Sequence, residues 1–419
     1  MSQSLMAGTA ARPLRVLAVA ELGSNWGHLL RLLPLVRALR ARGHQVVLAV
    51  PDIEQARKLF LDDAIDIVHS PGASFKGPLG PLAHISHYAQ LLDRCVFKDD
   101  ATLDATLGQW ADLLATWHPD VALTDFAPGA LFAAHLHRLP LVQVAIGWEA
   151  PPAGMPLPTV RPWEPVDLAD MHRLETHLLE RLNRRCQASG VLPLGHLSDL
   201  YAVGTQLLAT WPEADHFAPR PTTAHYIGPI YSADHGRPVA WPETPGPGRL
   251  SRVLMYLSPD PRNGQVIDAL RRAPLQVIAV LPGIGKPAVS RWTTARFQIW
   301  DEPLQLQPLV EAADLVISNA GHGLIAASLL AGVPMLVLPR TAEQALITRR
   351  LGATGAVHSM WEGGGPHRCA HLVQTLLGDG RARAAAQALS RKYAGSTQHR
   401  TVLSVVGSIE NAATQVANA

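Results

Sequence analysis

The sequence predicts an α/β protein built from two doubly wound, Rossmann-like domains that face a central cleft. In both halves of the 419-residue chain, short apolar runs alternate with segments whose apolar residues recur at helical spacing, which is typical of parallel strands connected by helices. A segment rich in proline and glycine, residues 227–250, separates the halves and contains too many breakers for a helix or strand. Because such sheets bind ligands at the carboxyl ends of their strands, two of them predict a cleft between the domains.

The predicted N-terminal domain, residues 1–226, opens with an apolar strand at Leu14–Ala20. A glycine-containing turn follows, and from His28 to Gly43 the apolar residues recur at helical spacing. The run Gln45–Val50 then completes a βαβ unit, which should be right-handed. Further strands of this domain are predicted at Ile65–Val68, Val121–Thr124 and Leu141–Ala145.

The rest of the chain gives the edge of the first domain and the whole of the second. Residues 151–226 lack a clean alternation, so we expect them, with a helix at Val166–Ser189, to form the domain edge and cover a pocket. Residues 396–419 are predicted to form a C-terminal helix, with a return to the first domain as one option. The C-terminal domain, residues 251–395, is predicted to contain strands at Arg252–Leu257, Leu275–Val280, Phe297–Ile299, Leu315–Ser318 and Met335–Leu338.

Composition excludes several classes of protein. Lys and Arg total 36 against 34 Asp and Glu, and no strongly basic run occurs, so no nucleic-acid partner is expected. Three widely spaced cysteines, Cys95, Cys186 and Cys369, argue against a disulfide framework and against a zinc site. No apolar stretch approaches the ~20 residues of a membrane span, so we expect no transmembrane segment and a cytoplasmic protein.

A glycine turn after a buried strand is the most informative segment. The run Ala313–Ile317 has the length and branching of a parallel strand, and Gly321 and Gly323 open the helix that follows it. The first N–H groups of such a helix form an anion site, most often for phosphate. A plain strand-to-helix connection is the alternative for this segment taken alone.

Three segments together carry a family resemblance. They are Gly27-His28 with Pro34 and Arg42-Gly43-His44, then Leu123-Thr124-Asp125, and finally residues 319–344. The chain resembles a GT-B glycosyltransferase of family 1, the large family of bacterial antibiotic glycosyltransferases and of UDP-glycosyltransferases. The matches in the last segment are Gly321, Gly323, Gly332, Pro334, Pro339, Glu343 and Gln344.

The resemblance implies the transfer of a sugar from a UDP- or dTDP-sugar to a small, largely apolar acceptor, with inversion at the anomeric carbon. It implies neither a cofactor nor a metal. The chain contains no Asp-x-Asp pair, so backbone N–H groups are expected to hold the diphosphate.

His28 matches the general base of the family, and Asp125 matches the aspartate that orients this base. Each residue has a simpler interpretation. His28 could be a solvated histidine at a helix start, and Asp125 could cap a helix from Ala127 onward.

Segments that interrupt the alternation of strands and helices in the first domain are expected to bind the acceptor, and the resemblance implies residues that bind the donor. Acceptor-binding residues are expected in the first domain, at Phe75, Trp148, Met155 and Trp163. The implied donor-binding residues are Ser258, Trp300, Asn319, Gly321, His322, Gly323, Leu324, Glu343 and Gln344.

The donor segment departs from the family pattern at several positions. Asn319 stands where the family has a histidine, and it cannot become cationic, which weakens stabilisation of the leaving group. Leu324 replaces a Ser or Thr that donates to phosphate, and residues 326–328 offer no Glu for the ribose. His322 could supply the missing imidazole or be a partly exposed turn residue. Trp300 is offset from the family's base-stacking position, so it could stack on the base or belong to the core.

These departures leave two alternative functions open. The chain could be a catalytically degenerate GT-B protein that binds a nucleotide or a partner transferase. A nucleotide-sugar epimerase is a weaker alternative, because it needs several acidic residues in the cleft, which the sequence does not indicate.

Overall fold

The computed structural model describes residues 12–23, 26–72, 85–232, 234–243, 248–260, 263–360 and 366–417. Two six-stranded sheets, with all strand pairs parallel, form the centres of two Rossmann-like halves. The α/β fold with two doubly wound sheets is therefore confirmed.

The first sheet has the strand order β3-β2-β1-β4-β5-β6. This order reverses direction between β1 and β4, and the carboxyl ends of two such strands flank the crevice in which doubly wound folds bind ligands. Its strands are β1 Arg15–Ala20, β2 Gln45–Val50, β3 Asp66–His69, β4 Val121–Asp125, β5 Leu141–Ala145 and β6 Thr205–Leu208.

The second sheet repeats this arrangement with the order β12-β11-β10-β7-β8-β9 and reverses between β7 and β10. The chain therefore has two reversal points, one in each half, and both are expected to lie beside ligands. The strands are β7 Ser251–Tyr256, β8 Leu275–Val280, β9 Phe297–Trp300, β10 Leu315–Ser318, β11 Met335–Val337 and β12 Val357–Ser359.

Helices connect the strands and cover the sheets. Those of the first half are α1 Trp26–Ala41, α2 Ile53–Leu59, α3 Tyr88–Cys95, α4 Asp100–Trp117, α5 Pro128–His137 and α6 Leu168–Ala188. Those that follow are α7 Asn263–Leu270, α8 Lys286–Trp292, α9 Gln307–Glu311, α10 His322–Leu330, α11 Ala342–Gly352, α12 Pro366–Gly378, α13 Gly380–Tyr393 and α14 Gln398–Ala417.

Helix α1 contains Pro34 in its interior, where proline removes one hydrogen bond of the helix. The carbonyl left without its helical donor is that of Leu30, four residues earlier. The hydroxyl of Ser232 donates to this carbonyl oxygen at 2.9 Å. The segment that follows the first half therefore helps to stabilise the helix that carries His28.

Helix α14 packs on the first half. It contacts α1, β4, β5 and β6, and Val402, Val405, Val406 and Ile409 are buried in one core cluster with Leu32 and other apolar residues of α1. At the surface, Glu410 accepts hydrogen bonds from Arg42 at 2.7 and 2.9 Å.

Two strands were not identified from the sequence. β6 lies within residues 151–226, where no alternation was predicted, and it pairs with β5 at the edge of the first sheet. β12 has only three residues, Val357–Ser359, and pairs with β11. Both are short and partly polar, with Thr205 and Gln206 in β6 and His358 and Ser359 in β12, so neither contains a long apolar run.

No helix among the described residues is both long enough and apolar enough to cross a membrane.

Candidate functional site

The reversal point of the first sheet brings His28 and Asp125 together. Asp125 is the last residue of β4 and lies opposite Ala20 of β1, while His28 is in the first turn of the helix after β1. The Nδ1 atom of His28 lies 3.1 Å from Oδ1 of Asp125, whose side chain is buried. We assign the proton to Nδ1, which donates to the carboxylate, so Nε2 keeps a free lone pair.

The imidazole of His28 fits closely between two neighbours. One is the ring of Phe126, whose centroid is 5.8 Å from that of His28. The other is Gly23, where a Cβ atom would lie 2.3 Å from Nε2. The φ of Gly23 is +98°, a region that side chains rarely adopt. Glycine at this position therefore leaves the Nε2 edge of the ring without a side chain over it.

Two further charged residues, which sequence analysis did not identify, complete this cluster. Arg31 lies three residues after His28, and its Nη1 atom is 2.7 Å from Oδ1 of Asp125 and 3.1 Å from Oε1 of Glu149. Glu149 follows β5, and its Oε2 atom accepts a hydrogen bond from the N–H of Ile146. Arg31 and Glu149 are both buried. An arginine among the apolar positions of α1 was the available sequence signal.

The cluster makes the imidazole of His28 more basic. Burial, the largest influence, lowers the pKa of His28, but the nearby carboxylates of Asp125 and Glu149 outweigh it and hold the pKa above its ordinary value. Burial has the opposite effect on the carboxyl group of Glu149 and raises its pKa above its usual range. The arrangement is that of a base whose conjugate acid is stabilised by neighbouring negative charge.

Ligand atoms of His28, Asp125 and Glu149 all lie within 4.8 Å of one another, a spacing that could hold a metal ion. However, the guanidinium of Arg31 already bonds both carboxylates. A cation is thus present where a metal would bind, and the cluster is better suited to proton transfer.

Glu21, the residue directly after β1, is a second buried carboxyl group at this edge of the sheet. Its Oε2 atom accepts hydrogen bonds from the N–H groups of Gly129, at 2.6 Å, and Ala130, at 3.3 Å. Its Oε1 atom has no partner among the described residues. Burial raises the pKa of Glu21 to about 8, and these two N–H groups only partly oppose the shift. The group is therefore neutral at neutral pH, and no feature of the sequence identified it.

The reversal point of the second sheet joins Ser258 and Asn319. The N–H of Ser258, two residues after β7, donates to Oδ1 of Asn319 at 2.7 Å. The Nδ2 atom of Asn319 donates to the carbonyl oxygen of Leu338 at 2.8 Å. Asn319 therefore connects the ends of three adjacent strands, β7, β10 and β11, through backbone groups.

The residues that follow β4 and β10 share an unusual backbone conformation. Phe126 has φ +45° and Ala320 has φ +66°, and both follow the polar residue at a reversal point. A residue other than glycine in this region costs about 1–3 kcal/mol, and such strain is concentrated at functional sites. The two halves therefore use the same sharp turn to begin the helices α5 and α10.

The N-terminus of α10 contains Gly321, His322 and Gly323, as the sequence predicts for the anion site. His322 is buried, and its Nε2 atom lies 2.8 Å from Oγ1 of Thr210 in the first half. Burial lowers the pKa of His322 well below its ordinary value, so the ring is neutral. In this structure His322 connects the two halves. Leu324 is half-buried within the helix.

Glu343 and Gln344 begin α11 and have different partners. Oε1 of Glu343 lies 3.1 Å from Nε2 of His216, a residue of the first half that sequence analysis did not identify. The side chain of Gln344 accepts a hydrogen bond from the N–H of Arg340 at 2.8 Å. The N–H of Gln344 donates to the hydroxyl of Thr341, so this residue takes part in capping the helix.

Trp300 ends β9, and its ring is covered by the guanidinium of Arg237 at 5.1 Å from the ring centroid. The Nε1 atom of this indole is buried without a partner among the described residues. The ring is thus half-buried and packs against the core of the second half.

The predicted acceptor residues occupy different environments. Trp148 is buried and stacks on Phe217, with ring centroids 6.2 Å apart. Trp163 is half-buried, and the guanidinium of Arg349 from α11 lies 5.7 Å from its ring centroid. Met155 is 41% exposed. Phe75 lies outside the described residues.

Comparison with solved structures identifies proteins of the same architecture. The glycotransferase of kitacinnamycin superposes with a TM-score of 0.68 at 19% identity, covering 95% of this chain and 100% of that one. The spinosyn rhamnosyltransferase SpnG gives 0.66 at 19% identity, covering 94% and 99% of the two chains. The glycosyltransferase VinC, solved in complex with dTDP, gives 0.67 at 18% identity, covering 95% and 100%.

No family model matches the sequence, and no curated protein matches it either. At this level of identity the solved structures establish the fold. The chain has the GT-B fold of antibiotic glycosyltransferases, as its motifs predict. Its departures from the family motifs are consistent with the low identity.

Proposed function

We propose that this chain is a glycosyltransferase that moves a sugar from a dTDP- or UDP-sugar to a hydroxyl group of a small, largely apolar acceptor, with inversion and without a metal ion. The observation that carries the proposal is the pair formed by His28 and Asp125 at the reversal point of the first sheet. VinC, solved with dTDP, and SpnG, solved with a spinosyn aglycone, have the same fold and support this choice of donor and acceptor.

In the proposed reaction, the acceptor oxygen attacks the anomeric carbon while its proton passes to Nε2 of His28. Asp125 accepts the hydrogen bond from Nδ1 and stabilises the imidazolium that forms. The bond from the anomeric carbon to the diphosphate oxygen breaks, and the diphosphate keeps the electron pair. The N–H groups at the start of α10 stabilise the resulting charge. A single displacement of this kind inverts the configuration at the anomeric carbon.

The two halves are proposed to divide the binding work. Residues 1–226 bind the acceptor, residues 227–250 form the linker, residues 251–395 bind the donor, and residues 396–419 complete the first domain. Trp148, Met155 and Trp163, together with Phe75, supply apolar surface for the acceptor. On the donor side, Trp300 and the segment 319–324 bind the nucleotide diphosphate, with Ser258 beside it, while Glu343 and Gln344 bind sugar hydroxyls.

One observation favours a second candidate, a GT-B protein that binds a nucleotide without catalysis. The amide of Asn319 is already bonded to Ser258 and Leu338, and His322 is buried against Thr210. Neither side chain therefore offers a cation to a leaving diphosphate, which would lower the rate of transfer. The intact pair of His28 and Asp125 weighs against this candidate.

The test pairs nucleotide binding with turnover. A thermal-shift screen with UDP, dTDP and GDP identifies the nucleotide, because a ligand at 100 times its Kd adds about 2.7 kcal/mol of stability. The matching sugar nucleotides are then incubated with a panel of hydroxylated apolar acceptors, and products are measured by mass spectrometry.

We expect transfer with at least one pair, and we expect His28→Ala to lower kcat by roughly 10²–10⁴ with little change in nucleotide Kd. His172→Ala, at an exposed histidine of α6, is the matched control and should behave like the unmodified protein. Tight nucleotide binding without transfer to any acceptor would favour the second candidate. Transfer that survives His28→Ala would refute the assignment of the base.

A further inference from the structure

We propose that Arg31 and Glu149 are positioning residues that hold Asp125 in place. They also keep the buried cluster at a net charge of about −1 until His28 takes up the proton of the acceptor. This inference rests on the proposed function, since it explains how the base of that reaction is prepared. It concerns residues of this chain that lie outside the pair of His28 and Asp125.

The geometry fixes Arg31 between the two carboxylates. A single guanidinium nitrogen, Nη1, lies 2.7 Å from Oδ1 of Asp125 and 3.1 Å from Oε1 of Glu149. The same Oδ1 atom accepts a hydrogen bond from Nδ1 of His28 at 3.1 Å. Arg31 and His28 therefore share one acceptor atom, and the position of Arg31 sets where that atom lies. His28 and Arg31 are on one helix, so α1 carries both donors.

The bonding pattern indicates that Glu149 is ionised. Its Oε1 atom accepts from Arg31 and its Oε2 atom accepts from the N–H of Ile146, so both oxygens act as acceptors. A carboxylate buried in this way requires a charged or hydrogen-bonded partner, because removal from water is costly. Arg31 meets this requirement for Glu149 and Asp125 together.

The charges then predict a direction for the proton. With Asp125 and Glu149 negative, Arg31 positive and His28 neutral, the cluster has a net charge of about −1. Uptake of a proton by His28 makes the cluster neutral, whereas the same cluster without Glu149 would become positive. Glu149 therefore increases the basicity of His28, while Arg31 decreases it and secures the geometry. The carboxylate of Glu149 accordingly raises the pKa of His28, and the guanidinium of Arg31 lowers it.

The charged groups around His28 come from several elements. Arg31 lies on α1, Asp125 ends β4, and Glu149 follows β5. In the second half, the charge of Glu343 raises the pKa of Arg31. The charges of Arg31 and His216, both in the first half, lower the pKa of His322 in the second half. Asp125, Glu149 and Arg31 are the charges that act on the His28 imidazole itself, so substitution of Glu149 should dominate the response.

The experiment is an NMR titration of the His28 imidazole in the full-length protein without substrates, with the resonance assigned by its loss in His28→Ala. Glu149→Gln removes a negative charge and should lower the titration midpoint by about 1 pH unit or more. Arg31→Gln removes a positive charge and should move the midpoint upward. Glu410→Gln, at a carboxylate that bonds His44 outside the cluster, is the matched control and should leave the midpoint unchanged.

Two conservative variants separate positioning from simple support of the fold. Glu149→Asp and Arg31→Lys keep the charges, so the His28 midpoint should stay close to that of the unmodified protein. Arg31→Lys replaces the planar guanidinium, whose donors have fixed directions, by a compact ammonium group. Because Asp125 is then held less firmly, the variant should lower kcat more than it changes the KM of the acceptor. If Glu149→Gln does not fold, the upward shift in Arg31→Gln still tests the charge argument.

A midpoint that is unchanged in Glu149→Gln, or that moves downward in Arg31→Gln, would overturn the inference. The titration requires no turnover, so its result is independent of whether the proposed reaction is found. Shifts of the expected sign together with a fully active His28→Ala would confirm the electrostatic coupling, refute the assignment of His28 as the base and remove the catalytic role inferred for Arg31 and Glu149.

Discussion

His216 of the first half lies with its Nε2 atom 3.1 Å from Oε1 of Glu343 in the second half. The other ring nitrogen, Nδ1, is 3.2 Å from the carbonyl oxygen of Ile146 and must donate to it. The residue that we propose for sugar binding is thus already held by the first half before a donor binds.

We predict that Glu343→Gln will raise the KM for the sugar nucleotide about 10-fold or more and leave the Kd of the free nucleoside diphosphate within about 2-fold. The reason is that, in the proposed complex, this carboxylate binds the sugar and not the diphosphate, and a hydrogen bond to a charged group contributes about 1.5–3 kcal/mol. Steady-state kinetics and calorimetry measure the two quantities. Glu311→Gln on α9 is the exposed control. Equal weakening of diphosphate and sugar nucleotide would contradict the assignment.

The bonds of Asn319 lead to a second prediction. Asn319→Ala removes the acceptor for Ser258 and the donor to Leu338, so we expect a loss of about 1–3 kcal/mol in unfolding free energy. Because these bonds hold the loop beside α10, the Kd of the nucleoside diphosphate should also rise. Urea unfolding and calorimetry measure both effects, with Asn411→Ala on the exposed face of α14 as control. A destabilised protein with unchanged nucleotide affinity would assign Asn319 to the fold alone.

Glu21 should make the stability of the protein depend on pH. Its pKa in the folded protein, about 8, is above the ordinary value of 4.5. Its contribution to stability is therefore complete below pH 4.5 and is lost as the pH rises to 8. Each pH unit within this window costs about 1.4 kcal/mol, because the folded state retains a proton that the unfolded state has released.

Glu21→Gln cannot titrate, so its unfolding free energy relative to that of the unmodified protein should increase between pH 5 and pH 8. Chemical denaturation at several pH values gives this difference, and Glu54→Gln on the exposed surface of α2 is the control. A difference that stays constant from pH 5 to pH 9 would show that Glu21 is ionised in the folded protein.

The parts of the site that were predictable from the sequence are those that follow strands. Asp125 comes directly after one apolar run and His28 begins the helix that follows another, so the parallel sheet places both at one edge, and the same argument applies to Asn319. Glu149 and His216 lie in irregular segments, where spacing along the chain does not determine which side chains meet. Arg31 gives a weak signal, since one arginine on a helix is more often solvated than buried.

The position of α14 has a consequence for synthesis on the ribosome. Domains of a nascent chain generally fold in the order in which they emerge. Here the helix that carries His28 emerges well before Val402, Val405 and Ile409, which cover it, and the whole second half is made in between. Translation must therefore pass residue 409 before the apolar surface of that helix is shielded. Until then, the first half exposes apolar surface of the kind that chaperones bind, and the helix that carries His28 is covered only after the whole second half has been made.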